Sequence, residues 1–454
     1  MANEMLILRQ QELSRRVENL PVEVQVWKTA TENEVDKNAH FSQLRAIEVL
    51  ANAFVNEQRT MLVGLDASGN VEAFNVGCLN LIRSVMRAQK VWDFFREKLA
   101  LRHSPSHRKP LWVADTIAWD CHRPVLNSAV QFGIVDGAEL REPPLVYCAA
   151  EYSPATWVRG SRPNDGRAYD LGEALLPIPV IEMPWDHLGS AWEYLALHHE
   201  VGHDIEADLK LRLVLQHSLQ QTLSNSGVGL ERIRTWLKWE GEIFADLCAL
   251  RLAGPAFTDA LMHLLLLPAV NVKTFDADDP HPTPYLRILL NAAYTRSLGT
   301  TQAIQDHAAS IETRWKSVYG NDSGDPNLDA YQQDFSLVFK ALMATEFPML
   351  KNHSVAELMP FGNADDGKIR SAETFFRTGM NRPNELPPRH AVSAARLAIS
   401  SVTQDGTLSD EVCTKIHERV IEYVQATAPP GLRGGGPDKH EKFIASFTKR
   451  MFPA

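Results

Sequence analysis

The chain has 454 residues, 44% hydrophobic and 22% charged, a composition that excludes a disordered protein and leaves room for two or three domains. A formal net charge of -10 offers no basic field to a phosphate backbone, so no nucleic-acid partner is expected. The five cysteines (Cys78, Cys121, Cys148, Cys248 and Cys413) are scattered and lack Cys-x-x-Cys spacing, which argues against a disulfide framework or a cysteine-rich zinc site and points to a reducing compartment.

The first twenty residues interleave charges with apolar side chains, so no signal peptide is read there and a cytoplasmic location is expected. Residues 1–44 are read as a polar N-terminal arm, helical up to a loop around Thr31 to Asn38. A helical region is expected over 45–109. Its apolar residues recur at helical spacing, as in Leu44, Ile47, Leu50, Ala51 and Phe54, then Leu79, Ile82, Val85 and Met86, then Trp92, Phe95 and Leu99. The turn Asp66 to Asn70 separates the first of these helices from the later ones, and His103 and His107 fall in a Pro-interrupted basic loop read as surface.

An α+β domain is expected over 110–300. Leu111–Ala114 and Pro144–Ala150 read as short strands, with a helix between them around Thr116 to Phe132, followed by a long polar loop from Ser153 to Gly172. Leu176 to Trp185 carries prolines at 177, 179 and 184 and is therefore expected at a sheet edge. Such an edge fits either the alignment of an extended peptide by strand addition or simple blunting of the sheet. Asp186 is the expected N-cap of a helix running to about Glu206. Helices follow over Asp208–Leu223 and Leu230–Leu252, the latter stopped by Gly254-Pro255, and another starts near Thr283. The longest apolar run, Leu261 to Val270, is broken by His263 and Pro268 and is too short for a bilayer, so no membrane association is expected. Residues 301–454 are read as a C-terminal helical region with breaks at 320–326, 360–367 and 429–436, the last a mobile loop before a final helix. The helical terminal regions are candidate surfaces for a protein partner.

The chemistry centres on His199-Glu200-Val201-Gly202-His203. Two imidazoles at i and i+4 lie one above the other on a helix and can share a zinc ion. Glu200, rotated about 100° from the first ligand, faces the water position and suits a general base. A third ligand must come from elsewhere. A metzincin would put His or Asp ten residues after His199, where Leu209 stands, and Gly where Glu206 stands, so that option fails. Glu242 is the best candidate, since Asp246 lies four residues on and can accept an N–H from a liganding imidazole. Glu240 is the rival, with Phe244 four residues beyond it.

His-Glu-x-Gly-His, then Glu242-x-x-Ala245-Asp246, then His281-Pro282 with Arg287-Ile288 resembles the motif order of gluzincin metallopeptidases, particularly the CAAX prenyl protease and HtpX group, over roughly residues 185 to 290. The resemblance implies a zincin-like peptidase core in an α+β, predominantly helical fold with a small edge-stranded sheet. It also implies one catalytic Zn2+ held by His199, His203 and Glu242, with Glu200 as base and a peptide or protein substrate. His281, Arg287 and Tyr285 are candidate donors to the developing oxyanion. The alternatives are a catalytically silent regulatory protein of the same fold and a metallohydrolase of a non-peptide amide.

Overall fold

The computed structural model describes residues 2–32, 41–137, 141–162, 175–276 and 278–428. Most of the expected loop at 31–38, residues 163–172 of the polar loop, the loop at 429–436 and the final helix lie outside these. The fold is predominantly helical with a small sheet.

The described part of the expected polar arm is a helix with one buried face. Leu13, Val17, Leu20 and Val24 recur every three or four residues and are buried, placing one face of α1 (Ala2–Glu32) against α2 (Phe41–Val63) and α3 (Val71–Ala100). The Asp66–Asn70 turn stands where expected: Asp66 accepts from the Ser68 amide at 2.9 Å, and Asn70 caps α3 by accepting from the Ala73 amide at 3.0 Å.

Two stretches before the sheet depart from expectation. Leu111–Ala114 is not a strand but lies inside α4 (Pro105–Gln131), whose first turn also takes up the expected basic loop at His107. Pro105 at the start presets the helical φ. α4 packs against several elements at once, and Leu111, Val113, Ala114, Ile117 and Ala118 are all fully buried. Burial on more than one side erases the helical period, leaving an apolar run that reads like a strand. α4 continues unbroken through residue 110, where a domain boundary is expected.

The sheet has three strands: β1 (Leu145–Ala149), β2 (Ala155–Trp157) and β3 (Val180–Pro184), in the order β1-β3-β2. β3 is therefore the central strand, not an edge. Its prolines sit where they cost no ladder bond: Pro177 and Pro179 precede the strand, Pro184 ends it, and the Pro179 carbonyl accepts from the Leu145 amide at 3.0 Å. β1 runs parallel to β3, and β2 antiparallel, with Ala155 opposite Glu182 and Trp157 opposite Val180. The edge beside the cleft is β2, inside the stretch expected to be loop.

Asp186 is not an N-cap. Two short 3-10 turns, Trp185–Gly189 and Ala191–Leu195, lead into α5 (Ala196–Asp208), whose N-cap position is Leu195. Then come α6 (Arg212–Asn225), α7 (Leu230–Ala253), α8 (Ala256–Leu264), α9 (Ala269–Lys273), α10 (Pro284–Thr295) and α11 (Gln302–Tyr319). Gly254, at φ 72, ends α7. The C-terminal region holds the short helices α12 (Pro326–Asp329), α13 (Phe335–Phe339) and α14 (Val355–Leu358), a small hairpin β4 (Glu346–Phe347) and β5 (His353–Ser354), and the longer α15 (Asn363–Thr378), α16 (Pro388–Gln404) and α17 (Asp410–Thr427). The first two expected breaks fall at 320–325 and 359–362, so helix resumes at Asn363, earlier than expected, and further breaks stand at 379–387 and 405–409.

α5 and α7 cross where Gly202 meets Ala245. A Cβ on Gly202 would stand 2.8 Å from the Ala245 Cα and 3.1 Å from its carbonyl oxygen. These are the glycine of the first motif and the alanine of the second, so the small residues are what let the two helices approach. Gly202→Ala is expected to force the helices apart and lower stability by about 1–3 kcal/mol, read from the denaturant midpoint. An unchanged midpoint would show that the crossing has slack and that the glycine serves no close approach.

Candidate metal centre

The first turns of α5 carry His199 and His203 on the face turned to α7, and one turn of α7 carries Glu242 and Asp246 back towards them. The His199 and His203 Nε2 atoms are 3.2 Å apart. Glu242 Oε2 is 3.3 Å from His199 Nε2, and Glu242 Oε1 is 3.5 Å from His203 Nε2. A tetrahedral ion bound at about 2.0–2.1 Å has ligands about 3.3 Å apart, so the three donors already stand at the edges such an ion requires. Their side chains are 12%, 21% and 17% exposed.

His199 Nδ1 lies 2.8 Å from Asp246 Oδ1. A carboxylate there keeps the ring proton on Nδ1 and leaves the Nε2 lone pair facing His203 and Glu242. Two imidazole nitrogens turned on each other at this distance suit a shared cation. Burial alone would push the His199 imidazole down, but Asp246 and Glu242 overrule it and raise it to about 10, so Nε2 holds a proton that a bound metal ion must displace before the lone pair is free. Burial, with the neighbouring His199, lowers His203 to about 4. Burial opposes the charged forms of Glu242 and Asp246 too, yet His199 and Arg287 hold both carboxyls well below the usual carboxylate range. The pair is thus anionic at the point where the donors meet.

No family model, curated protein or solved structure matches this chain. What the site can do is therefore read from its own geometry.

Among the described residues, His199, His203 and Glu242 form a group of metal-capable side chains whose donor atoms all lie within 4.8 Å of one another. They stand on a cavity of about 1480 Å³, which Glu200 and Thr156 also line. Glu200 is 5% exposed, and burial raises its carboxyl above the ordinary value. Glu240 is not in the group. It is fully buried beside Glu206, and burial together with that carboxylate raises it. His198, off the ligand face, is buried with Nε2 3.2 Å from the Arg389 carbonyl oxygen.

The third motif is only partly at the site. His281 is half exposed, with Nε2 3.4 Å from Glu242 Oε2 and Nδ1 2.7 Å from Asp279 Oδ1. Arg287 donates to Asp246 from Nε at 2.7 Å and from Nη2 at 2.8 Å, and Nη2 is 3.4 Å from Glu242. Tyr285 turns away: its hydroxyl donates to the Gly320 carbonyl at 3.1 Å.

Two features escape sequence reasoning. Asp279 orients His281, and the Asp-x-His spacing is its signal. Asp208, at the end of α5, accepts from Arg141 at 2.8 Å and Arg159 at 3.1 Å, and its Oδ2 is 3.0 Å from His122 Nε2. Arg159 follows β2 and also donates to the Pro177 carbonyl at 2.6 Å, tying the strand's exit to the helix of the first motif. These partners are 49 to 86 residues apart in sequence, and no local pattern marks them.

Proposed function

We propose that the chain is a zinc-dependent metallopeptidase of gluzincin type with a zincin-like core, hydrolysing peptide or protein substrates with Glu200 as base. The observation that carries this reading is the convergence of His199, His203 and Glu242 at tetrahedral spacing on the wall of a large cavity that Glu200 shares. Three protein donors with room for a fourth, non-protein ligand is the pattern of a catalytic zinc site, whereas structural sites close the shell with four.

When bound, zinc supplies Lewis acidity and lowers the pKa of water towards roughly 7. The chain's own groups do the rest. Asp246 holds the His199 ring in one tautomer, and Arg287, with two bonds to Asp246, fixes that carboxylate and steadies Glu242. This makes Arg287 a positioning residue more than a donor to substrate. Glu200 takes the proton of the attacking water and returns it to the leaving amine. His281, held through Nδ1 by Asp279, can donate from Nε2 to the oxygen that gains charge when its ring is in the imidazolium form.

The test is metal removal. Dialysis against a chelator is expected to abolish hydrolysis of an unstructured protein, and one equivalent of zinc per chain is expected to restore it. Cleavage that survives complete stripping, checked by elemental analysis, would rule out the reading.

A further inference from the structure

α8 is short, and its apolar and polar residues face opposite ways. Phe257, Ala260, Leu261 and Leu264, at i, i+3, i+4 and i+7, all stand on the cavity wall. The polar residues of the same helix are tied behind it. Asp259 Oδ2 lies 2.8 Å from His307 Nε2, and Oδ1 accepts from Arg314, both on α11. Thr258 Oγ1 is 3.4 Å from Thr295 Oγ1 on α10, and Arg396 on α16 donates to the Asp259 carbonyl at 3.0 Å. Three helices therefore fix the rotation of α8 and keep its apolar stripe turned to the cavity. Phe257, Ala260 and Leu261 are only 2%, 6% and 5% exposed and Leu264 is half-buried, so the stripe is the floor of a recess and not an open patch.

The recess adjoins the metal donors. The Phe257 ring lies 7° from parallel with the His199 imidazole, with centroids 6.4 Å apart. Trp192, which is buried, and Ala196, one turn before His199 on α5, extend the apolar wall. Ala196 and Ala260 are the small residues of this wall, so the space in front of them is left to an occupant. Glu193, beside Trp192 on the same wall, is held by Arg396 at 2.8 Å and does not call for a cationic partner. Covering apolar surface here gains free energy, whereas a charged side chain loses its hydration.

We infer that this recess is the pocket for the substrate side chain beside the scissile bond, and that it selects a large apolar one, Phe, Leu or Met, on one side of the cut. Cleavage at that position rests on the peptidase reading, but the fit of the side chain is a property of binding and can be measured alone.

The experiment has two arms. In the first, zinc-loaded full-length Glu200→Gln protein is titrated calorimetrically with two peptides that differ only in having Phe or Ala at one position. The Phe peptide is expected to bind about tenfold more tightly, with a more negative heat-capacity change. Adding Ala260→Phe, which fills the recess, is expected to abolish the difference. In the second arm, the wild type is profiled on a peptide library. Phe, Leu and Met are expected on one side of the cut, with kcat/KM about 10–100-fold above that for Ala. Ala260→Phe should shift the order towards Gly and Ala while the protein keeps one zinc per chain. Leu264→Ala, a milder change at the last residue of α8, should lower the preference several-fold and decides the matter if Ala260→Phe does not fold. Equal binding of the two peptides, or a library preference untouched by the exchanges, overturns the inference and leaves the peptidase reading standing. Tighter binding of the Phe peptide with no cleavage by the zinc-loaded wild type overturns the peptidase reading instead, and the pocket stands.

Discussion

Glu200→Gln is expected to retain one metal ion per chain and to lose about 10²–10⁴-fold in turnover. The exchange keeps the size and shape of the side chain in a position only 5% exposed, so neither α5 nor the donors beside it need shift. What changes is one capacity. A buried carboxyl, raised by its surroundings, takes up a proton more readily than a surface one, and the amide takes up none. Because the proposed metal ligands are His199, His203 and Glu242 and not Glu200, binding and catalysis are expected to separate in this variant. Elemental analysis of the purified protein, beside its cleavage of an unstructured protein, reads both. Wild-type turnover would remove Glu200 from the reaction, while loss of the ion would make it part of the site's framework.

The motif residues are legible in the sequence because their geometry is local. His199 and His203 are one helical turn apart, as are Glu242 and Asp246, and regular helices carry that spacing into space without help from the rest of the chain. That the two turns face each other is suggested only by the glycine and alanine embedded in them, and the Gly202–Ala245 contact gives those residues their reason. The walls of the cleft are harder to read. β2 is three residues long and carries no strand signal, while β3, expected at an edge because of its prolines, is central because all of them fall before or at the end of the paired segment. Only the first part of α4 is hidden, where the burial of Leu111, Val113 and Ala114 removes the polar face that helical periodicity depends on, while the helix from Thr116 onward is legible. The Asp208 cluster depends on partners brought together by tertiary folding alone, and Asp279 gains meaning only once His281 is placed beside Glu242.

The choice between two glutamates on α7 gives the other large effect. Residues 240 and 242 are separated by about 200° around the helix, so only one of them can face α5's histidines. Glu242→Ala is expected to weaken metal binding by more than about 100-fold, because it removes a donor and also uncovers the buried positive charge of Arg287. Glu240→Gln is expected to keep the ion and to change stability instead. In the folded protein, burial and Glu206 raise the Glu240 carboxyl, so it holds a proton that the unfolded chain releases above about 4.3. Unfolding then releases a proton, and this group's contribution to stability falls as pH rises from the ordinary carboxylate range towards its raised value. The glutamine variant lacks that proton release, so its unfolding free energy should fall less steeply between about pH 5 and 8 than the wild type's. Denaturant titrations across that range, beside elemental analysis of both variants, decide the matter. Metal retained by Glu242→Ala and lost by Glu240→Gln would reverse the assignment of the third ligand.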